Sequence, residues 1–290
     1  MKKQQKRFIG SVILLIFILF AAELIYSNLS LTVSRYALTS DKAAGAFRVV
    51  FLSDLHGREF GAGNARLLDK IAEEEPDIIA LVGDIFDAVS DEEDVGRGCE
   101  FIKAATEIAP VYFCMGNHEC NCLAAFPDLP QRIAEAGAKV LDAEYVDTEI
   151  NGTQVRIGGY AGFYRTPQMD TADREKREEY ARFFDEFEDT DRFKLLLDHI
   201  PTTWLDWEYR DTAPVDLVLS GHYHGGNARI PFIGQGLYAP YVGWFPKYTK
   251  GCYEGEEATC ILSTGLAGGK GWPRFFNPPE IAVVDISGAN

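Results

Sequence analysis

The chain has 290 residues, of which 47% are hydrophobic and 25% are charged, and its formal net charge is −16. A hydrophobic share near one half predicts a packed globular core and excludes a disordered chain. The acidic excess argues against binding along polymeric nucleic acid, which requires clustered Lys and Arg. The charge is unevenly distributed: residues 1–40 carry five basic residues and one acid, so the rest of the chain carries all of the acidic excess.

The amino-terminal segment predicts a membrane-spanning helix. The 19 residues from Phe8 to Tyr26 contain one charge, Glu23, and as a helix they would extend about 28 Å, close to the hydrocarbon thickness of a bilayer. Residues 1–7 form a basic tail, which favours a cytoplasmic amino terminus. We therefore expect a signal-anchor helix over residues 8–26, at the cell membrane, with the large domain outside the cytoplasm. A cleaved signal peptide and a buried core helix are the alternatives.

Residues 27–45 are predicted to be a linker to a single domain over residues 46–287. Short β-branched apolar runs indicate buried strands in this domain, and apolar residues at helical spacing indicate helices. In its first half the two alternate: a strand over Phe47–Ser53, a helix capped by Asn64, a strand over Asp77–Val82, a helix over Asp94–Ile108, a strand over Val111–Met115, a helix over Leu129–Ala136 and a strand over Lys139–Leu141.

The second half of the domain predicts a different organisation. Asn151-Gly152 separates the strand candidates Glu144–Ile150 and Gln154–Ile157, which indicates a hairpin. The segment Asp173–Phe187 predicts an amphipathic helix whose charged face is either solvated or bound by a partner. Strands and helices in this order predict a layered sandwich of sheets with helices outside. The remaining strands are expected at Lys194–Leu197, Asp216–Leu219, Cys260–Ser263 and Ile281–Ile286.

Two of the six cysteines, Cys252 and Cys260, flank a short segment that contains Gly255. In a hairpin centred near Glu256 they would face each other, and outside the cytoplasm they would then form a disulfide. The alternative is that both are small apolar residues of two strands.

Polar motifs follow the buried strands directly, and all five histidines of the chain lie in them. Ligands of open α/β sheets gather at such carboxyl ends. Imidazole and carboxylate together suit zinc, iron and manganese, and one carboxylate can bridge two cations. The sequence therefore predicts a metal site. Its motifs are Asp54-Leu55-His56, Gly83-Asp84-Ile85-Phe86-Asp87, Gly116-Asn117-His118-Glu119, Asp198-His199 and Gly221-His222-Tyr223-His224.

These motifs, in this order, resemble the D-x-H, G-D, G-N-H-[DE], H and G-H-x-H pattern of the calcineurin-like metallophosphoesterase superfamily. The resemblance runs from about Arg48 to Ile286. It implies a four-layer α/β/β/α sandwich, preceded in this chain by the transmembrane helix, and two divalent ions (Mn, Zn or Fe). It further implies one ion on Asp54, His56 and His224, the other on Asn117, His199 and His222, and Asp84 as the bridge.

The same resemblance implies a mechanism, hydrolysis of a phosphate ester by a water or hydroxide held between the ions. His118 is expected to serve the leaving oxygen, with Asp87 as its hydrogen-bonding carboxylate. Asp198 is either a residue behind a metal ligand or a surface acid at a strand end, and the role of Glu119 stays open.

The departures from the pattern bear on the substrate. Ala88 stands where the serine/threonine protein phosphatase branch has a phosphate-gripping Arg, which argues against a protein phosphatase. The hydrophobic helix, Leu219–Asn227 and Pro273–Ile281 instead resemble bacterial membrane-associated phosphoesterases. The expected substrate is a phosphate ester or pyrophosphate of a lipid-linked, cell-envelope or small nucleotide compound. A cyclic-nucleotide phosphodiesterase or nuclease, and a non-catalytic metal-binding scaffold, are the alternatives.

Aromatic residues are concentrated after the last histidine motif. They form either a rim that faces substrate or membrane, or ordinary packing of loops over the site. They are Phe232, Tyr238, Tyr241, Trp244, Phe245 and Tyr248.

Overall fold

The computed structural model describes residues 2–161, 174–269 and 273–289. The helices of these segments are α1 (Lys2–Leu29), α2 (Ala65–Glu73), α3 (Glu92–Thr106), α4 (Asn117–Cys122), α5 (Leu129–Glu135), α6 (Arg174–Glu188) and α7 (Thr202–Leu205). The strands are β1 (Thr32–Ser40), β2 (Phe47–Leu52), β3 (Ile78–Val82), β4 (Val111–Cys114), β5 (Lys139–Leu141), β6 (Glu144–Ile150), β7 (Thr153–Tyr160), β8 (Phe193–Asp198), β9 (Leu217–Ser220), β10 (Tyr238–Ala239), β11 (Gly243–Trp244), β12 (Gly251–Glu254), β13 (Thr259–Leu262) and β14 (Glu280–Gly288).

Two six-stranded sheets pack face to face. Their strand orders are β1-β14-β2-β3-β4-β5 and β12-β13-β9-β8-β7-β6. Side chains alternate between the faces of a strand, so neighbouring residues enter different cores. Phe51 and Leu195 pack between the sheets, whereas Val50 packs outward against α2 and α3, and Leu196 packs outward against α6. The expected four-layer α/β/β/α sandwich is therefore confirmed.

The predicted strands and helices are present, with described ends within three residues of the predicted ones. The first residue predicted for α6, Asp173, lies outside the described residues. The apolar face predicted for α6 is buried against the second sheet, and it consists of Tyr180, Phe183, Phe184 and Phe187.

The expectation of a linker over residues 27–45 is corrected by strand β1, which forms the edge of the first sheet. It pairs in parallel with β14, from Thr32 opposite Glu280 to Ser40 opposite Gly288. The segment does not resemble a core strand, because an edge strand buries only part of each side chain and tolerates polar residues. The sheet therefore begins close to the end of α1.

Two local expectations are also corrected. Asn64 does not cap α2 with its side chain; its Oδ1 accepts a hydrogen bond from the Phe60 N–H at 2.9 Å instead.

The hairpin of β12 and β13 forms, but Cys252 pairs with Ile261 and Cys260 pairs with Tyr253. This register differs by one residue from the expected one and places the two thiols on opposite faces. Both cysteines are free.

Helix α1 is exposed along its apolar part. The most apolar 18-residue window of the stretch Gln4–Leu29 has a mean hydropathy of 2.7, and none of it is buried, which excludes the buried core helix. By length and composition this helix could cross a membrane, and a signal sequence would satisfy the same test. Its carboxyl-terminal part contacts the domain, through the ring of Phe20 and through Glu23, Ser27 and Asn28.

Candidate metal centre

The polar motifs converge where strands of both sheets end. Strands β2, β3 and β4 run parallel in the first sheet, and β8 and β9 run parallel in the second. Their carboxyl ends therefore reach one edge of the sandwich, and the motifs that follow them meet there. Three groups of side chains each offer ligand atoms within 4.8 Å of one another: Asp54, His56 and His224; His56, Asp84 and His118; and Asp84, His199 and His222.

Asp54 lies at the centre of the first group. Its Oδ1 is 3.7 Å from His224 Nε2 and 3.9 Å from His56 Nε2. Both carboxylate oxygens also accept the His222 N–H, each at 3.1 Å. Asp54 thus joins the first sheet to the His222 loop of the second, and it holds the two loops at a fixed separation.

Asp84 belongs to the other two groups. Its Oδ2 is 3.1 Å from His199 Nε2, 3.8 Å from His56 Nε2 and 3.9 Å from His118 Nε2. Its Oδ1 accepts the His118 N–H at 2.8 Å, so one oxygen orients the carboxylate while the other faces the imidazoles. A carboxylate between two sets of imidazoles has the position that a bridging ligand requires.

Several polar atoms here are buried without a hydrogen-bond partner, although buried polar atoms are normally paired. Sets of oxygen and nitrogen acceptors in this state fit divalent cations, which bind carboxylate, amide and imidazole lone pairs. The residues therefore fit the implied metals. Among the described side chains, these atoms are Asp84 Oδ2, Asn117 Oδ1, His199 Nε2 and both ring nitrogens of His56 and His222.

Backbone carbonyls orient two of the imidazoles. His199 Nδ1 lies 2.8 Å from Val82 O, and His224 Nδ1 lies 3.2 Å from Ala267 O. A carbonyl oxygen only accepts, so each Nδ1 carries the proton and each Nε2 presents a lone pair or a second N–H to the carboxylates. This arrangement is typical of metal-ligating histidines.

The protonation states are consistent with cation binding. Burial lowers the pKa of His56 to about 4 and that of His222 to about 3, and it also lowers the pKa of His224. These rings are therefore neutral at pH 7 and keep a lone pair for a metal. His199 differs: burial acts to lower its pKa, but its interactions with Asp84, the charge of Asp54 and the Val82 carbonyl together outweigh burial and raise the pKa to about 10. Positive charge is thus favoured between Asp84 and His199, where a divalent ion would supply it.

The backbone of the site is strained, and glycines make room for it. Non-glycine residues rarely adopt a left-handed backbone, which costs about 1–3 kcal/mol each and is found mostly at functional sites. A side chain on Gly116 would approach Asp84 Oδ1 to 2.3 Å, so this glycine permits the close packing of two strand ends. The left-handed site residues are Asp54 (φ 54°), His56 (φ 48°), Asp84 (φ 54°), His222 (φ 69°) and His224 (φ 46°).

His118 lies beside Asp84, but its contact with Asp87 differs from the expected one. The distance from His118 Nδ1 to Asp87 Oδ1 is 3.7 Å, too long for a hydrogen bond. His118 Nδ1 instead accepts the Ala88 N–H at 3.0 Å. The ring proton of neutral His118 is therefore on Nε2, and a backbone amide rather than a carboxylate fixes this tautomer.

Glu119 and Asp198 both support the site from the buried side. The Glu119 carboxylate accepts three backbone N–H groups at 2.8–2.9 Å, from Asp84, Phe86 and Gly116. It thereby ties the loops after β3 and β4 together. Asp198 is fully buried and accepts the Trp204 indole N–H at 2.6 Å, so it is not a surface acid.

Two residues that the sequence analysis did not assign also hold the site. Asn277 Nδ2 donates to the carbonyl oxygen of His224 at 2.7 Å. Arg274 is fully buried and donates to Ala267 O, the same oxygen that orients His224, and to Thr264 O at 2.8 Å. Both lie far from the histidine motifs in sequence, and neither has a spacing that would indicate this role.

A cluster of carboxylates, an amide and imidazoles at paired strand ends defines a metal-dependent hydrolase site. Residues 47–226 match the family model of the calcineurin-like phosphoesterases, and the chain belongs to this family. It is a metal-dependent phosphoester hydrolase, as the sequence analysis predicted.

Curated relatives agree with this assignment. Phosphodiesterase YaeI of Escherichia coli (strain K12) is 28% identical over 267 residues, which cover 87% of this chain and 86% of that protein. An uncharacterized metallophosphoesterase of Aquifex aeolicus (strain VF5) is 28% identical over 282 residues, covering 91% and 95%. Among solved structures, the sulfate thiohydrolase SoxB of Thermus thermophilus aligns with a TM-score of 0.48 at 11% identity, over 76% of this chain and 52% of that one. A similarity of that size says nothing about the reaction.

Proposed function

We propose that this protein is a membrane-tethered phosphodiesterase whose centre takes two divalent ions, chosen from Mn, Zn and Fe. The observation that carries the proposal is the position of Asp84 Oδ2. It is buried without a hydrogen-bond partner and lies within 3.9 Å of three imidazole nitrogens. A single shared carboxylate between two ligand groups suits a pair of ions better than one ion.

The first proposed ligand set is one of the observed groups, and the second adds Asn117 to His199 and His222, which group with Asp84. Asp54, His56 and His224 would hold one ion. Asn117, His199 and His222 would hold the other, and Asp84 would contact both. When bound, the ions lower the pKa of water and offset the negative charge of the phosphoryl oxygens.

His118 is the residue that we assign to the leaving oxygen. Its Nδ1 accepts the Ala88 N–H, so its Nε2–H is available, and this nitrogen is 3.9 Å from Asp84 Oδ2. A proton donor beside the reacting phosphate stabilises the alkoxide as the ester bond breaks. Asp87 lies 3.7 Å from both His118 and His56, so its carboxylate is close to both rings without a hydrogen bond to either.

The membrane tether is proposed from helix α1. Its apolar residues are exposed, while its last turns bond to the domain: Phe276 N–H donates to Glu23 at 2.8 Å and Asn277 N–H donates to Ser27 at 3.2 Å. A helix that binds its own domain in this way supports retention over cleavage. With the basic tail in the cytoplasm, the domain would lie outside it.

Supporting evidence for a diester substrate is the similarity to a relative named as a phosphodiesterase. The substrate class is tested with the full chain in detergent micelles, stripped of metal and reloaded with Mn²⁺, Zn²⁺ or Fe²⁺. We expect metal-dependent hydrolysis of bis(p-nitrophenyl) phosphate that exceeds hydrolysis of p-nitrophenyl phosphate. Absence of turnover with every metal would favour a non-catalytic scaffold, and hydrolysis of the monoester alone would contradict the diesterase assignment.

Two further measurements test the roles and the orientation. The substitution His118→Ala should lower turnover by about 10²–10⁴-fold while the chain still binds two ions by elemental analysis. Loss of both metal and activity would instead make His118 a ligand. A reporter fused after Asn290 should be active only outside the cytoplasm, and activity inside it would reverse the proposed orientation.

A further inference from the structure

The segment after the last histidine motif exposes an unusual amount of apolar surface. Outside α1, ten large hydrophobic side chains are exposed in the described part of the chain, and seven of them lie between residues 230 and 246. Exposed apolar side chains gathered in one place mark a binding surface rather than ordinary surface composition. We call the five most exposed of the seven the apolar rim: Phe232, Ile233, Tyr241, Trp244 and Phe245.

Ordered turns present the rim. Ile230 N–H donates to Gln235 O at 2.8 Å, and Gly234 N–H donates to Ile230 O at 2.9 Å. A second turn is closed by the pairing of β10 with β11. Phe232, Tyr241 and Phe245 have φ of 68°, 61° and 55°, and bulky residues rarely adopt this backbone. The turns therefore hold these side chains outward at a cost in backbone strain.

The charge of the segment differs from that of the chain as a whole. Residues 217–253 contain no Asp or Glu, whereas the whole chain contains 44, and they include Arg229, Lys247 and Lys250. Only Lys247 of these three is exposed, because Lys250 pairs with Glu280 at 2.7 Å and Arg229 donates to Gly225 O at 3.1 Å. An exposed cation beside exposed aromatic rings suits an anionic lipid surface, because the headgroups attract the cation and the interface accepts Trp, Tyr and Phe rings.

Helix α1 lies next to the base of the rim. Arg229 N–H donates to Phe275 O at 2.8 Å, and the ring of Phe275 lies 5.0 Å from that of Phe20 in α1. The neighbouring Phe276 is 40% exposed and its N–H binds Glu23. The loop that carries the rim is thus hydrogen-bonded to the segment on which α1 packs.

The length of α1 requires the domain surface around Phe275 and Phe276 to meet the bilayer. The apolar residues before the domain contact, Phe8–Leu19, would extend about 18 Å as a helix, against about 30 Å of hydrocarbon. Including Phe20 and the residues up to Tyr26 gives about 28 Å. The turns of α1 that contact Phe275 and Phe276 must therefore lie within the membrane or at its surface, and the domain follows them there.

The metal centre lies directly beside the rim. The ring of Tyr241 stacks on that of His222, with centroids 5.2 Å apart and planes at 13°. Asn277, which follows Phe276, binds the carbonyl oxygen of His224. A membrane that contacts the rim would thus be next to the ligands of both proposed ions.

We propose that the apolar rim inserts into the membrane that α1 enters, and that the metal centre acts on the phosphate ester of a lipid headgroup in that membrane. This inference rests on the proposed function for its chemistry, but the insertion of the rim is a separate physical claim. The occupant of the rim is the lipid surface itself, because the loop that carries the rim bonds to the segment on which the exposed helix packs.

Insertion is tested with the full chain reconstituted in vesicles of phosphatidylcholine and phosphatidylglycerol, with bromine on the acyl chains. We expect the bromine to quench Trp244, so Trp244→Phe should lower the quenchable share of the fluorescence by at least twofold. An unchanged quenchable share, with the Trp244 emission quenched by aqueous iodide instead, would overturn insertion. This measurement requires no turnover, so it does not depend on the proposed function.

The substrate class is tested by turnover of phosphatidylglycerol in vesicles relative to soluble bis(p-nitrophenyl) phosphate. The double substitution Phe232→Ser/Ile233→Ser should lower this ratio at least tenfold, whereas the matched Phe232→Trp/Ile233→Leu variant should keep it. If both variants show the same ratio of phosphatidylglycerol turnover to soluble diester turnover, the proposal of a lipid substrate is overturned, even if the soluble diester is still hydrolysed. Quenching without turnover of either substrate would overturn the proposed function and leave insertion standing.

Discussion

The metal centre and the apolar rim both contain left-handed non-glycine residues, but different contacts hold them. At the centre, Asp54 and Asp84 are buried and fixed by hydrogen bonds that cross between loops. In the rim, Phe232 and Tyr241 are exposed, and backbone hydrogen bonds within each turn, Ile233 N–H to Pro231 O and Val242 N–H to Pro240 O, hold the chain beside them. Strain at the centre is therefore stabilised by the packing of the whole sandwich, whereas strain in the rim is local. Substitutions at the metal centre should therefore lower turnover and leave the conformation of the rim unchanged.

A substitution of Asp84, the proposed bridging residue, is expected to have the largest effect on the metal centre while leaving the apolar rim unchanged. Asp84→Asn removes the charge shared by both ligand groups, so we expect turnover of the soluble diester to fall on the order of a thousandfold or more. Bound metal, measured by elemental analysis, should fall below two ions per chain. The quenching of Trp244 should stay unchanged. The control is Asp185→Asn, which removes a charge at an exposed residue of α6 and should leave turnover, bound metal and Trp244 quenching unchanged. Full activity of Asp84→Asn would exclude a bridging role.

A smaller loss is expected from crowding the centre without removing a ligand. In Gly116→Ala the new Cβ would approach Asp84 Oδ1 to 2.3 Å, so the carboxylate must shift. Because misplacement by about 1 Å can cost about a hundredfold in rate, we expect a loss of that order. Gly96→Ala, in α3, meets no atom within 4 Å and should keep full turnover. Equal activity of the two variants would show that Asp84 tolerates displacement.

The support behind the ligands is tested next. Glu119→Gln replaces a carboxylate that accepts three N–H groups with an amide that has one acceptor oxygen, so at least one donor loses its partner. An unsatisfied buried donor costs about 1–3 kcal/mol, which corresponds to a fall in melting temperature of about 2–12 °C for a domain of this size. Turnover should fall about tenfold, because the loops after β3 and β4 loosen. Glu100→Gln, at an exposed residue of α3, is the matched control. An unchanged melting temperature for Glu119→Gln would show that Glu119 does not hold the loops after β3 and β4 together.

Much of the fold was predictable from sequence, because its strands are buried on both faces and read as continuous apolar runs. The site was predictable for the same reason: a buried strand fixes where the next polar residue emerges, and every histidine follows such a strand. Strand β1 was not predictable, since only its pairing with β14 makes Thr32–Ser40 a strand. The supports Arg274 and Asn277 were also missed, because they reach the His224 loop only through the tertiary fold.

The hydrogen bond expected between Asp87 and His118 was not predictable at atomic detail, because spacing in sequence does not fix a contact distance. The Ala88 N–H already occupies His118 Nδ1, while the Asp87 side chain is 37% exposed and 3.7 Å away. Charge screened by solvent contributes little at that distance. Because the contact is too long for a hydrogen bond, Asp87 acts on His118 only through its charge, and this effect is small.

The smallest effect at the centre is accordingly expected from Asp87→Asn, which keeps the shape of the side chain and removes its charge. Turnover of the soluble diester should fall less than tenfold, far less than for His118→Ala, and bound metal and Trp244 quenching should be unchanged. The double variant Asp87→Asn/His118→Ala should be no slower than His118→Ala alone, because Asp87 acts through that ring. A hundredfold loss from Asp87→Asn would mean that the carboxylate bonds directly to His118 during turnover, and that the tautomer of His118 is set by its side-chain partner rather than by the backbone.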